Sequence, residues 1–157
     1  MKYLTATGYF LVLLLNAQLS SAQKPGHNKI VLPPQATIEK PALFKNVPER
    51  LMVTRPDLDR LFSVRTGRVV LPADKGFSFE GALVEKVQKN PNVTSINIRL
   101  HNYDSSLLNI SRITHSDLTV TYHARVINRK SGDILLLKSE NGQLYFSREK
   151  QSLVMVE

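Results

Sequence analysis

From Phe77 to Lys150 the apolar residues recur with a period of two, and clusters of turn-forming residues interrupt the run at short intervals. That period puts alternate side chains on opposite faces of an extended chain, so it rules out an amphipathic helix and calls for antiparallel strands with one buried face. Ile96, Ile98 and Leu100 alternate with Ser95, Asn97, Arg99 and His101, and Leu118, Val120, Tyr122, Ala124 and Val126 repeat the pattern. The clearest turn is Asn141-Gly142, a pair suited to the type I′ hairpin because both central residues need positive φ. Pairing outward from Glu140 and Gln143 sets Leu137 opposite Phe146 on one face and Lys138 opposite Tyr145 on the other. Ile134-Leu135-Leu136-Leu137 runs without alternation, which predicts a strand covered on both faces.

The remaining registers follow from the turns. In the strand after Pro72-Ala73-Asp74-Lys75-Gly76, residues Phe77, Phe79, Gly81, Leu83 and Val87 share one face, with Gly81 a bend or bulge. A tip at Pro91-Asn92 sets Asn90 against Val93, Val87 against Ile96 and Leu83 against Leu100. Glu85 then falls opposite Ile98, a mismatch that an intervening bulge would relieve. A turn near Tyr103 to Ser106 pairs Leu100 with Leu108 and Ile98 with Ile110. The expectation is an all-β fold, a small antiparallel meander of about seven to nine strands, rolled or partly closed into a barrel.

The chain ahead of this run differs in character. Lys2, the apolar stretch Phe10 to Leu15 and the small residues Ser20-Ser21-Ala22 read as a secretory signal over 1–22, too short to span a bilayer. Residues 23–60 hold six of the eight prolines and read as a Pro-rich arm, leaving 61–157 as the β domain. Within the arm, Thr54 to Phe62 carries a short-helix signal, with Pro56 at its first position and Asp57 and Asp59 near its start. The protein is therefore expected to be exported, periplasmic or secreted. Without cysteine it can have neither a disulfide staple nor thiolate chemistry, so the core must hold itself together.

The formal net charge of +8 suits an acidic partner, whether an anionic envelope, a glycan or a protein surface. The cations are scattered, with no Lys/Arg run interleaved with aromatics, which argues against nucleic acid. The chain carries no HExxH, GxSxG, Walker, GxGxxG or EF-hand pattern, and no cofactor is expected. The expected binding surface is the polar face of the central strands, formed by Asn97, Arg99, His101, Asn109, Thr121, His123 and Arg125. The registers above align Asn97, Ser111 and Thr119 in one row, and Arg99, Asn109 and Thr121 in the next. They leave His101 and His123 about 10 Å apart, too far to share a metal. His115-Ser116-Asp117 brings an imidazole and a carboxylate together, although Ser and Asp in such a loop ordinarily serve the turn itself.

The sequence Leu-Ser-Ser-Ala-Gln at residues 19–23 resembles the end of secretory signals in Bacteroidota. The strand series, with Asn109-Ile110-Ser111-Arg112-Ile113, Tyr122-His123-Ala124-Arg125-Val126 and Glu140-Asn141-Gly142-Gln143-Leu144-Tyr145, is similar to small secreted β-proteins of that phylum. It also resembles β-rich propeptides that precede some secreted metallopeptidases there, which would imply binding and inhibition of a protease. No peptidase lies within these 157 residues, and no site residue is carried over from the resemblance. The expected function is a secreted, non-catalytic binding module for a protein or envelope glycan. The alternatives are a propeptide-like inhibitor, a structural envelope component, or a small hydrolase using His115, Asp117 or the His101/His123 pair. Oligomeric state is left open.

Overall fold

Eight strands follow one another through the described part of the chain, and each of the central ones hydrogen-bonds the strand before it. The computed structural model describes residues 40–151, all in one compact unit; the expected signal segment and residues 23–39 of the expected arm lie outside them. The strands are β1 (Arg50–Val53), β2 (Arg68–Pro72), β3 (Ser78–Asn90), β4 (Val93–Leu100), β5 (Leu107–Thr114), β6 (Val120–Ile127), β7 (Asp133–Glu140) and β8 (Gln143–Lys150). They form one antiparallel sheet, β1-β8-β7-β6-β5-β4-β3-β2, curled into a half-barrel. The expected all-β class and rolled sheet are what the chain adopts.

One α-helix, α1 (Arg55–Ser63), connects β1 at one edge of the sheet to β2 at the other. It begins as the sequence signals: the Thr54 side chain accepts from the Asp57 N–H, Pro56 sits in the first turn, and Asp57 faces the positive end of the helix dipole. Leu58, Leu61 and Phe62 enter the core. The two sheet edges are also tied directly, because the Met52 N–H on β1 donates to Asp74 Oδ1 (2.8 Å) in a 3-10 turn after β2. Part of the stretch expected to be an arm is thus built into the domain. β1 pairs with β8, and Phe44 and Val47 join the core with the inward side chains of every strand.

The last hairpin has the expected register, Leu137 against Phe146 and Lys138 against Tyr145, with Asn141 and Gly142 both at positive φ. Ile134 and Leu135 point to opposite faces and both are buried, so the start of β7 is covered on both sides. Two other registers differ from expectation. The turn after β4 centres on Tyr103, with the Leu100 N–H donating to the Ser106 carbonyl, so Ile98 meets Leu108 and Ile96 meets Ile110. Moving a turn's centre by one residue moves the register by two, which changes the rows but keeps the faces. The turn after β4 is centred one residue earlier than expected, whereas the loop after β5 is centred two residues later, at Asp117, so that Thr114 pairs with Val120.

The β3–β4 pairing departs further, because β3 carries two bulges. Asn90 faces Val93 as expected, but Lys89 and Val84 are extra residues, each without a partner on β4. Each bulge turns the strand over by one residue. Lys86, not Val87, therefore meets Ile96, and Leu83 meets Ile98. Val87 faces Ser95 and is exposed, which corrects the expectation that it belongs to the core face.

Candidate functional site

The residues expected to form a binding surface do lie away from the core, though not in the rows anticipated. Asn97, Asn109 and Arg125 are successive partners across β4, β5 and β6, and Arg125 is followed by Leu136 on β7. His123 pairs with Ser111, Thr121 with Ile113, and Arg99 with Leu107. His101 lies beyond β4 in the turn, where its N–H donates to the Glu80 carbonyl, and Thr119 precedes β6. Much of the polar capacity here is spent locally. Asn109 Nδ2 donates to Asn97 Oδ1, and Asn97 Nδ2 donates to Glu85 Oε2, both at 2.7 Å. Ser95 and Ser111 share a hydrogen bond of 2.7 Å. Thr121 bonds His115 Nε2 at 2.9 Å. Asp117 accepts from the Thr119 N–H and hydroxyl, which holds its carboxyl below the usual range and confirms a turn role for that loop. Among the described residues no three His, Asp or Glu side chains gather where a metal could be held.

Polar groups converge instead on the inner face, at the end of the half-barrel where α1 ends and the β3–β4 hairpin turns. A cleft of about 530 Å³ opens there. Its cationic lining is Arg65, Lys86 and Arg112, and its neutral polar lining is Gln88, Asn92, Thr94 and Thr114. Phe62 and Pro91 supply the apolar wall, and among the described residues no carboxylate lines the cleft.

Each cation is there for an identifiable reason. Arg112 has the same parity on β5 as Leu108 and Ile110, so it is an inward position that has run past the end of the apolar core. It lies over the Phe62 ring, 5.0 Å from the centroid, and 3.6 Å from Asp59 on α1. Lys86 is turned inward by the bulge at Val84, and its ammonium donates to the Phe62 carbonyl near the end of α1, where the helix dipole favours a cation. Arg65 follows α1 in the connection to β2 and is exposed. The signal for Arg112 was available in the strand parity. For Lys86 strand parity alone points outward, and the signal was the mismatch of Glu85 with Ile98, which called for a bulge.

Behind the cleft, the Tyr122 hydroxyl donates to Asp59 Oδ1 at 2.5 Å. Burial, then that bond to a carboxylate, push the Tyr122 hydroxyl well above the usual tyrosine range. A raised value in the folded state means that the folded protein holds this proton more tightly than the unfolded chain does. The resulting stabilisation is complete below the unfolded tyrosine value of about 10 and is lost as pH rises through the folded value. Tyr122→Phe should therefore be less stable than the parent at pH 8, by about 0.5–1.5 kcal/mol for the lost hydrogen bond. The gap should shrink or reverse by pH 11. Urea midpoints of the two proteins at both pH values measure it, and a gap that does not change with pH would contradict this assignment.

Chemically, the cleft can hold an anion. Among the described residues no carboxylate lines it; Asp59 behind the cleft, 3.6 Å from Arg112, offsets that one cation and with Phe62 holds it in place, which leaves Arg65 and Lys86 in excess. Comparison with protein-family models, with curated proteins and with solved structures finds no match to this chain.

Proposed function

We propose that this protein is an exported, non-catalytic β-module that binds an anionic group on an envelope glycan or protein through the cleft of Arg65, Lys86 and Arg112. The observation that carries the reading is the convergence of three cations in one concave site that no carboxylate lines among the described residues. Binding sites, like active sites, draw polar groups together in a concavity, whereas the outer sheet face leaves them spread over an open surface and partly engaged with one another. The signal-like residues 1–22 support export, and the overall charge of +8 would steer the protein towards an acidic surface.

The test is retention of the protein, lacking 1–22, on immobilised polyanions of three kinds at physiological salt: an acidic polysaccharide, polyglutamate and polyphosphate. The parent should be retained on at least one of them. A variant with Arg65, Lys86 and Arg112 changed to Gln should lose that retention, while one with Arg99, His101, His123 and Arg125 changed to Ala should keep it. Retention of the cleft variant at the parent's level, with loss in the outer-face variant, would move the site to the outer face and overturn the proposal.

A further inference from the structure

We infer that the ligand of this cleft is an acidic oligosaccharide, a chain of sugar units bearing carboxylate or sulfate groups, an inference that rests on the binding role proposed above. The first argument is size. A cleft of about 530 Å³ lies within the roughly 300–1,000 Å³ of small-molecule sites, larger than an isolated carboxylate, sulfate or phosphate needs. The rest of the space has room for the remainder of a larger ligand.

The second argument is the lining. The side chains of Gln88, Asn92, Thr94 and Thr114 can each both donate and accept a hydrogen bond, and among the described residues none of these side chains makes one, the bond from Asn92 to Asn90 Oδ1 coming from its backbone N–H. Sugar hydroxyls are likewise donors and acceptors at once, and Pro91 offers an apolar surface for the C–H face of a ring. The cations take the acidic groups, with Arg112 presenting the planar fork that matches a carboxylate or a sulfate.

The third argument separates a glycan from the other acidic polymers. A peptide would be expected to add as a strand to an open sheet edge, and such an edge lies beside the cleft, because β2 pairs β3 only as far as Ala82. That edge is broken by the bulges at Val84 and Lys89 and carries Lys86 and Lys89, features that oppose strand addition. A single-stranded nucleic acid would need exposed aromatic faces for its bases, and a duplex would need a longer run of cations than these three. Phe62 is the aromatic residue lining the cleft, and it is buried with Arg112 over its ring.

The experiment is titration of the protein lacking 1–22 with four short probes: an oligogalacturonate, a sulfated oligosaccharide, a neutral oligosaccharide of equal length and an oligoglutamate. Calorimetry gives affinity, and amide NMR shifts give the location. At least one acidic sugar should bind with shifts centred on Lys86 to Thr94 and Arg112 to Thr114, and it should bind better than the neutral sugar and the oligoglutamate. Removing one charged partner with Lys86→Gln should weaken it by about tenfold or more. Gln88→Leu with Thr94→Val should weaken the sugar while leaving any residual oligoglutamate binding unchanged. Oligoglutamate binding in the cleft as tightly as either acidic sugar would overturn the saccharide assignment but leave the anion-binding role standing. No probe binding there, and no retention on any polyanion, would remove both. Shifts centred on the outer face would also overturn the inference.

Discussion

Gly81→Ala should destabilise the fold by about 3 kcal/mol or more, at the upper end of what inserting a carbon into a packed interior costs. A Cβ built on Gly81 lies 2.2 Å from the Arg99 carbonyl oxygen, 2.8 Å from its carbon and 2.9 Å from Ile98 Cγ2. Two of these atoms belong to the backbone of the neighbouring strand, so no side-chain rotation can relieve the contact. β3 would have to move away from β4 where Gly81 pairs with Leu100, next to the fully buried Phe79, Ile98 and Leu100. The expected readout is a fall in melting temperature of roughly 10 °C or more for a domain of this size. Gly142→Ala provides the comparison. Its Cβ would meet nothing within 4 Å, and the cost there comes from positive φ alone (78°), about 1–2 kcal/mol. Equal losses at the two positions would show that β3 and β4 do not approach as closely as described.

Asp133→Ala should cost a comparable amount through a different mechanism. Asp133 is buried, and its carboxylate accepts from the Leu43 N–H (2.9 Å), the Phe44 N–H (3.1 Å) and the Ser131 hydroxyl. Those bonds tie the segment before β1 to the start of β7 and hold Phe44 in the core, where it packs against Tyr103 with ring centroids 5.9 Å apart. Alanine would leave the buried Phe44 N–H unsatisfied, at about 1–3 kcal/mol, and the Leu43 N–H with Ser131 Oγ (3.1 Å) as its remaining acceptor, so with the lost Ser131 bond a total of about 2–4 kcal/mol is expected. Asp133→Asn keeps one acceptor oxygen and should lose less. Urea denaturation of the three proteins measures the order, and protease cleavage within residues 41–49 should accelerate in the alanine variant. An alanine variant as stable as the parent would show that the segment is held by apolar packing alone.

Both predictions concern positions whose residue type carries a meaning in the sequence while the neighbour it meets does not. Gly81 reads as a bend or bulge because a glycine in a strand is a break in side-chain packing, yet the bulge lies three residues later and the glycine admits the Arg99 carbonyl. Asp133 reads as a turn residue after Lys130-Ser131-Gly132. Its role in anchoring Leu43 and Phe44 depends on contacts some ninety positions away in the chain.

What the sequence determined alone is whatever is local. Alternation along each strand assigned the faces of β4, β5 and β6, and Asn141-Gly142 set the β7–β8 register, because two turn residues at positive φ leave one way to pair the strands. Thr54, Pro56 and Asp57 specified the start of α1 by the same kind of short-range bonding. The expected outer-face residues Asn97, Arg99, Asn109, Thr121, His123 and Arg125 do lie on that face, since an error in a turn's centre slides rows without exchanging faces. Only the tertiary structure decided where charge converges. The Val84 bulge inverts one strand and turns Lys86 inward, the helix bridging the sheet edges brings Phe62 and Arg65 to the same end, and the curl of the sheet makes that end concave. The mismatch of Glu85 with Ile98 called for a bulge, and one lies beside it at Val84, but a cleft is a property of elements far apart in the chain and cannot be read from spacing.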